Sequence, residues 1–274
     1  MKISAMNTHY RFYDLDYFFR ETSKIGFKYC EIWTSPHHFC VNYEGYDDVN
    51  CLISLENKYH MKIICICPEQ TNPKPHNIAE RDIEKQKRTL KYFKNIIDVS
   101  CKVKCNKVVI TSGWAYYNED KELAYKRSVA MMRKICEYAE SLSVYLALEA
   151  LQPDESVLVN NINDIRKYIS DVNSNNLKVC IDLGAMARAD ETLEEYFKAF
   201  ESDIIHIHFV DGKPFGHLAW GDGKRDIKKD LSSIAYYNYQ GFLSLENATS
   251  RYFENPVIAD CKSYKLYKEN GGEE

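Results

Sequence analysis

No run in this sequence approaches the ~18 consecutive apolar residues of a membrane-spanning helix. The first residues, Met1–Met6, enter a strand-like pattern at once and show no signal-peptide apolar region, so a cytoplasmic protein is expected. Basic residues are not clustered: 36 Lys and Arg are scattered among 40 Asp and Glu, for a net charge of −4. That balance argues against a nucleic-acid or anionic-membrane surface. Cys-x-x-Cys pairs are missing, since Cys65-Ile66-Cys67 and Cys101 with Cys105 lack zinc-site spacing. The ten cysteines lie mostly in apolar runs, at Cys30, Cys65, Cys67, Cys101, Cys136 and Cys180. There Cys acts as a small hydrophobe, and free thiols in a reducing compartment are expected. No Gly-x-Gly-x-x-Gly follows any strand-like run, which counts against a dinucleotide-binding open sheet. The lack of a phosphate-cradling Gly-rich loop favours a non-phosphorylated ligand. No linker or shift in composition interrupts residues 1–274, so one domain is expected.

What is present is a repeated order of strand, loop and helix. Strand-like runs cover Lys2–Asn7, Tyr29–Thr34, Lys62–Cys67, Lys107–Thr111, Tyr145–Glu149, Lys178–Asp182, Ile204–His208 and Phe242–Glu246. Helical patterns fit Asp16–Lys24, Val49–His60, Glu80–Ser100, a segment from an Asn118 or Asp120 N-cap to Leu142, Ile162–Val172, Thr192–Glu201, Ile227–Asn238 and Pro256–Tyr267. A Pro- and Asn-containing loop is expected over Thr71–Asn77. Eight such units match an α/β fold of the (β/α)8 TIM-barrel type in number, order and length. A doubly wound open sheet is the alternative.

Four consecutive strands of the second half each end on a metal-type ligand: Glu149, Asp182, His208 and Glu246. A carboxylate at the end of a buried strand is costly unless something positive pairs with it. Taken singly, each has a commoner role as a helix cap or a hydrogen-bonded core histidine. Jointly they suggest strand ends converging on one cation at the C-terminal mouth of a barrel, where barrel enzymes place their sites. Three carboxylates and one imidazole suit Mn or Mg best, with Zn or Co as alternatives.

His206 and His208 alternate by two and share a face. His208 is nearer the strand end and is assigned the metal; His206 lies one layer deeper as a core or supporting group. Glu31 and Trp33 share a face of the second strand. Glu31 could hydrogen-bond substrate from the barrel interior or be a satisfied buried carboxylate. Trp33 and Trp114 could stack on the apolar face of a sugar, although plain packing is their commoner role.

The chain resembles the sugar isomerase/epimerase family with a xylose isomerase-like TIM barrel. The likeness rests on Leu148-Glu149 followed by Pro153-Asp154-Glu155-Ser156, then Ile181-Asp182-Leu183-Gly184, then His206-Ile207-His208-Phe209-Val210-Asp211. His217-Leu218-Ala219-Trp220-Gly221-Asp222-Gly223 and Leu245-Glu246-Asn247 complete it. The family includes ketose 3-epimerases, hydroxypyruvate isomerases and inosose dehydratases, with endonuclease IV as a relative. The resemblance implies one divalent metal on Glu149, Asp182, His208 and Glu246, with Glu149 and Glu246 also the acid/base pair. It implies that Glu155 hydrogen-bonds substrate. His217 corresponds to a zinc-binding histidine of the endonuclease, and a substrate-contacting role is equally open.

The implied activity is isomerisation or epimerisation of a small sugar, keto-sugar or polyol derivative through an enediolate. A lyase acting on an inosose- or dehydroshikimate-type substrate and a non-catalytic carbohydrate-binding barrel are the alternatives. Two departures matter. The family's usual Asp-x-x-His reads Asp182-Leu183-Gly184-Ala185 here, removing an imidazole beside the metal. The third and fourth strand ends, Cys67-Pro68 and Ser112-Gly113-Trp114, lack the endonuclease's zinc histidines, which argues against DNA repair. The expected partner is a small carbohydrate, with neither nucleic acid nor membrane; a homo-oligomer is left open.

Overall fold

Eight parallel strands form a closed barrel in sequence order. They are β1 (Lys2–Met6), β2 (Tyr29–Thr34), β3 (Lys62–Pro68), β4 (Lys107–Ile110), β5 (Tyr145–Glu149), β6 (Leu177–Asp182), β7 (Ile204–His208) and β8 (Phe242–Leu245). The structure is a computed structural model and describes residues 1–70 and 73–272. Thr71 and Asn72, at the start of the loop expected over Thr71–Asn77, lie outside the described residues. Strands buried on both faces read as continuous apolar runs. Ile63 to Cys67 of β3 and Val108 to Ile110 of β4 are buried throughout. Register pairs include Ala5 with Leu245, Glu149 with Cys180 and His208 with Ser244.

The helices start where short polar side chains satisfy the free N–H groups of a first turn. Asp14 caps α1 (Leu15–Ile25), Asp82 caps α3 (Ile83–Lys102) and Asp120 caps α4 (Lys121–Ser141). α2 spans Asn50–Tyr59. Asn161 caps α5 (Ile162–Val172). Helix α3 begins three residues later than the pattern suggests, because Glu80 turns its carboxylate onto the N–H groups of Arg81 and Asp82. A short helix, α6 (Leu183–Arg188), follows β6 directly with Asp182 as its cap. Its six residues are too few to show a helical period. Thr192 caps α7 (Leu193–Phe200) and Asp226 caps α8 (Ile227–Tyr236); α9 (Pro256–Glu269) opens on proline. Glu246 lies one residue beyond β8 rather than inside it.

Contacts group the chain into two compact units. One comprises Met1–Trp33, Asn50–Ile64 and Ile181–Glu274; the other comprises Thr34–Val49 and Cys65–Cys180. Their boundaries fall within β2, β3 and β6 and at the start of α2. In the first unit, Tyr267 of α9 donates to the carbonyl of Met1, and Tyr10 donates to the buried Asp260 at 2.6 Å. In the second, Ser128 of α4 donates to the carbonyl of Ser112 and lies 2.6 Å from the hydroxyl of Tyr168 on α5. All ten cysteines are free; Cys101 is only half-buried, unlike Cys30, Cys65, Cys67, Cys136 and Cys180. Among the described residues no helix is long and apolar enough to cross a membrane.

Candidate active site

Asp182 ends β6 and uses its two carboxylate oxygens differently. Oδ1 accepts the N–H of Ala185 and starts α6. Oδ2 lies 4.0 Å from Nδ1 of His208 and 3.1 Å from Nε2 of His217. One side chain thus both caps α6 and faces two imidazoles. His208 ends β7, fully buried, with Nδ1 3.1 Å from Oε2 of Glu246. That same oxygen is 3.3 Å from Nε2 of His217. Burial alone would raise the Glu246 carboxyl, but His208 and His217 override it and hold it far below the usual carboxylate range. Burial alone would lower His217, yet Asp182 and Glu246 hold it well above an ordinary imidazole.

Within the first unit, one ligand atom from each of Asp182, His208 and Glu246 lies within 4.8 Å of the others. Carboxylates beside an imidazole have the chemistry of a hard divalent-cation site, so these residues fit such an ion.

Beneath the mouth, Glu31 of β2 is fully buried between two imidazoles. Its Oε2 lies 2.7 Å from Nε2 of His206, and its Oε1 lies 3.3 Å from Nε2 of His208. Burial pushes this carboxyl up, but the two histidines hold it well below the usual range. The expectation that Glu31 hydrogen-bonds substrate meets a carboxylate whose two oxygens both face histidines. This arrangement went unseen in the sequence, where alternation ties His206 to His208 but says nothing of a strand 175 residues away.

His217 sits in the loop between β7 and α8, and Asp211 holds that loop. Each Asp211 oxygen accepts two backbone N–H groups: Gly212 at 2.7 Å and Arg225 at 3.0 Å on Oδ1, Gly221 at 3.0 Å and Gly223 at 2.8 Å on Oδ2. Asp211 also pairs with Leu218 in an isolated antiparallel bridge. These four donors make Asp211 a loop clamp. A Cβ on Gly223 would come within 2.1 Å of Oδ1 of Asp211, so glycine is required there. Asp211→Ala is expected to cost about 3 kcal/mol or more, since several part-buried donors lose a charged acceptor. Urea unfolding measures it; a loss below about 1 kcal/mol would show that water replaces the clamp.

The family model of the xylose isomerase-like TIM barrel matches residues 19–263. The chain belongs to this family. It is 28% identical over 261 residues to fructoselysine 3-epimerase of Shigella flexneri, covering 94% of each chain. D-psicose 3-epimerase of Ruminiclostridium cellulolyticum is 24% identical over 234 residues, which cover 81% of this chain and 75% of that protein. Among solved structures, D-psicose 3-epimerase with D-tagatose from Clostridium cellulolyticum H10 superposes with a TM-score of 0.80 at 17% identity, covering 98% of both chains. The 3-keto-D-glucoside 4-epimerase of E. coli superposes with a TM-score of 0.81 at 17% identity, covering 98% of this chain and 99% of that one. At such identities the superpositions establish a shared fold.

The remaining candidates of this xylose isomerase-like barrel are less committed to one centre. Glu155 is half-buried in the loop after β5, where Oε2 accepts the N–H of Gln152. Next to it, Ser156 donates to the carbonyl of Gly113. Trp114 has its backbone N–H on Asn77 and its indole N–H 3.3 Å from the carbonyl of Lys74. Trp33 is held by Asn7, which contacts both its backbone N–H and its carbonyl, and the Arg11 guanidinium lies 5.3 Å from its ring centroid. Both indoles are half-buried.

Proposed function

We propose that the chain, read as one barrel domain over residues 1–274, is a divalent-metal-dependent isomerase or epimerase of a small sugar, keto-sugar or polyol derivative. The observation that carries this reading is the approach of Asp182, His208 and Glu246 to within 4.8 Å of one another. In it these three, with Glu149, hold a Mn- or Mg-type ion, with Zn or Co as alternatives. A divalent ion there supplies Lewis-acid stabilisation of the negative charge that develops on substrate oxygens. Glu149 and Glu246 act as the proton-transfer pair: one, ionised, would take the proton alpha to the carbonyl to leave an enediolate, and the other, carrying a proton of its own, would deliver it to the opposite face. His208 and His217 hold the Glu246 carboxyl ionised, which lowers its basicity, so proximity to the bound substrate has to offset that loss. His217 supplies an imidazole 3.1 Å from Asp182 despite Ala185, and we assign it substrate contact with Glu155, Trp33 and Trp114.

The 3-epimerase names of the relatives point to a ketose-type substrate inverted at the carbon next to its carbonyl. A non-phosphorylated carbohydrate in the cytoplasm completes the reading. The test incubates metal-loaded protein with a panel of keto-sugars in deuterated water. Deuterium entering at one carbon, with formation of the epimer, is the expected result. Water loss with ultraviolet-absorbing product would replace it with the lyase. Neither outcome across the panel would favour a binding protein.

A further inference from the structure

Glu31 is a fully buried carboxylate, and such a group persists only when donors meet its oxygens. Its side chain and those of His206 and His208 are fully buried. The carboxylate can only accept, so a ring nitrogen bonded to it carries the hydrogen. The nitrogen facing it on His208 is Nε2, at 3.3 Å. A neutral imidazole with its hydrogen on Nε2 keeps a lone pair on Nδ1. Nδ1 is the nitrogen that faces Glu246 at 3.1 Å and Asp182 at 4.0 Å.

Two sets of carboxylates therefore compete for one ring. If Glu246 took the hydrogen bond from Nδ1, His208 would present a hydrogen where a ligand lone pair is needed. Glu31 opposes that from below. His206, with Nε2 2.7 Å from the other Glu31 oxygen, keeps the carboxylate from rotating away. Glu31 does not belong to the Asp182–His208–Glu246 group.

We infer that Glu31 is a positioning residue: anchored by His206, it accepts the Nε2 hydrogen of His208 and so commits Nδ1 of His208 to the cation. The inference rests on the metal-dependent reading above. Carboxylate partners of metal-binding histidines typically change metal affinity by about 10–100-fold when removed.

The experiment titrates the full-length protein and Glu31→Gln with Mn²⁺, reading free ion by electron paramagnetic resonance. Nitrogen-15 NMR of the histidine rings is recorded on wild type, metal-free and with diamagnetic Mg²⁺. Glutamine preserves the shape of Glu31 but presents one amide N–H₂ that cannot accept from both rings. The expected result is Mn²⁺ affinity lowered about 10–100-fold in Glu31→Gln, with the hydrogen of wild-type His208 on Nε2 in both samples. Affinity within about twofold of wild type, or a hydrogen on Nδ1 of His208 with Mg²⁺ bound, overturns the inference. If Glu31→Gln fails to fold, Glu31→Asp, which keeps a charged acceptor at shorter reach, is titrated against the same limits. A wild type that binds none of Mn²⁺, Mg²⁺, Zn²⁺ and Co²⁺ would sink the metal-dependent reading instead, and the metal-free ring signals would still decide which His208 nitrogen carries the hydrogen.

Discussion

Glu246→Gln should lower turnover by about 10²–10⁴-fold at saturating metal while substrate still binds, the loss typical of a removed general base. The geometry supports this size of effect. Glu246 follows the end of β8 with its side chain 18% exposed, sheltered yet open to a ligand. Its Oε2 lies 3.1 Å from His208 and 3.3 Å from His217, and those imidazoles keep it ionised. Glutamine keeps the size of glutamate and one carbonyl oxygen for the cation, but cannot take a proton. Metal affinity should weaken only modestly, since three other ligands remain in the proposed set. Turnover is measured by epimer formation under saturating Mn²⁺, and binding by competition with a slow substrate analogue. Normal turnover with metal saturating would show that another base does the work, with His217 or Glu155 the nearest candidates.

His208→Ala should abolish tight metal binding, whereas His206→Ala should chiefly destabilise the fold. Both histidines touch Glu31, so the contrast turns on what each leaves behind. Without His208 the proposed site loses its imidazole and Glu31 keeps its shorter partner at 2.7 Å. Without His206 the buried carboxylate loses that shorter partner, and breaking a buried pair this way typically costs about 3–5 kcal/mol. The metal should still bind to His206→Ala, more weakly, because Glu31 is then free to turn from His208. Chemical denaturation and Mn²⁺ titration of both variants separate the two effects. Equal loss of metal in the two would mean that the wrong imidazole has been assigned, or that His206 is indispensable to the site.

Much of this protein is legible one residue at a time. Buried parallel strands betray themselves by runs such as Ile63-Ile64-Cys65-Ile66-Cys67, and Asp14, Asp120 and Thr192 mark helix starts because short polar side chains satisfy free N–H groups. Period-two alternation places His206 and His208 on one face, and the order of strand-end ligands is what suggests Glu149, Asp182, His208 and Glu246 as the proposed set. Those signals are local, carried by spacing within a strand or a turn.

Other features depend on which segments meet across the fold. Asp182 divides its oxygens between the start of α6 and the site because the chain turns into a helix at once after β6. Asp211 is a clamp only because the backbone of residues 212–225 curls back over its carboxylate. Glu31 faces two histidines from a strand far away in sequence, and His217 brings an imidazole beside Asp182 although the position after β6 that would have advertised one is Ala185. Sequence spacing determined which side chains share a strand face or cap a helix, because those relations follow from a fixed backbone repeat. Only the tertiary structure decided which oxygen meets which ring nitrogen, because that depends on closing the barrel and on loops whose paths no local period encodes.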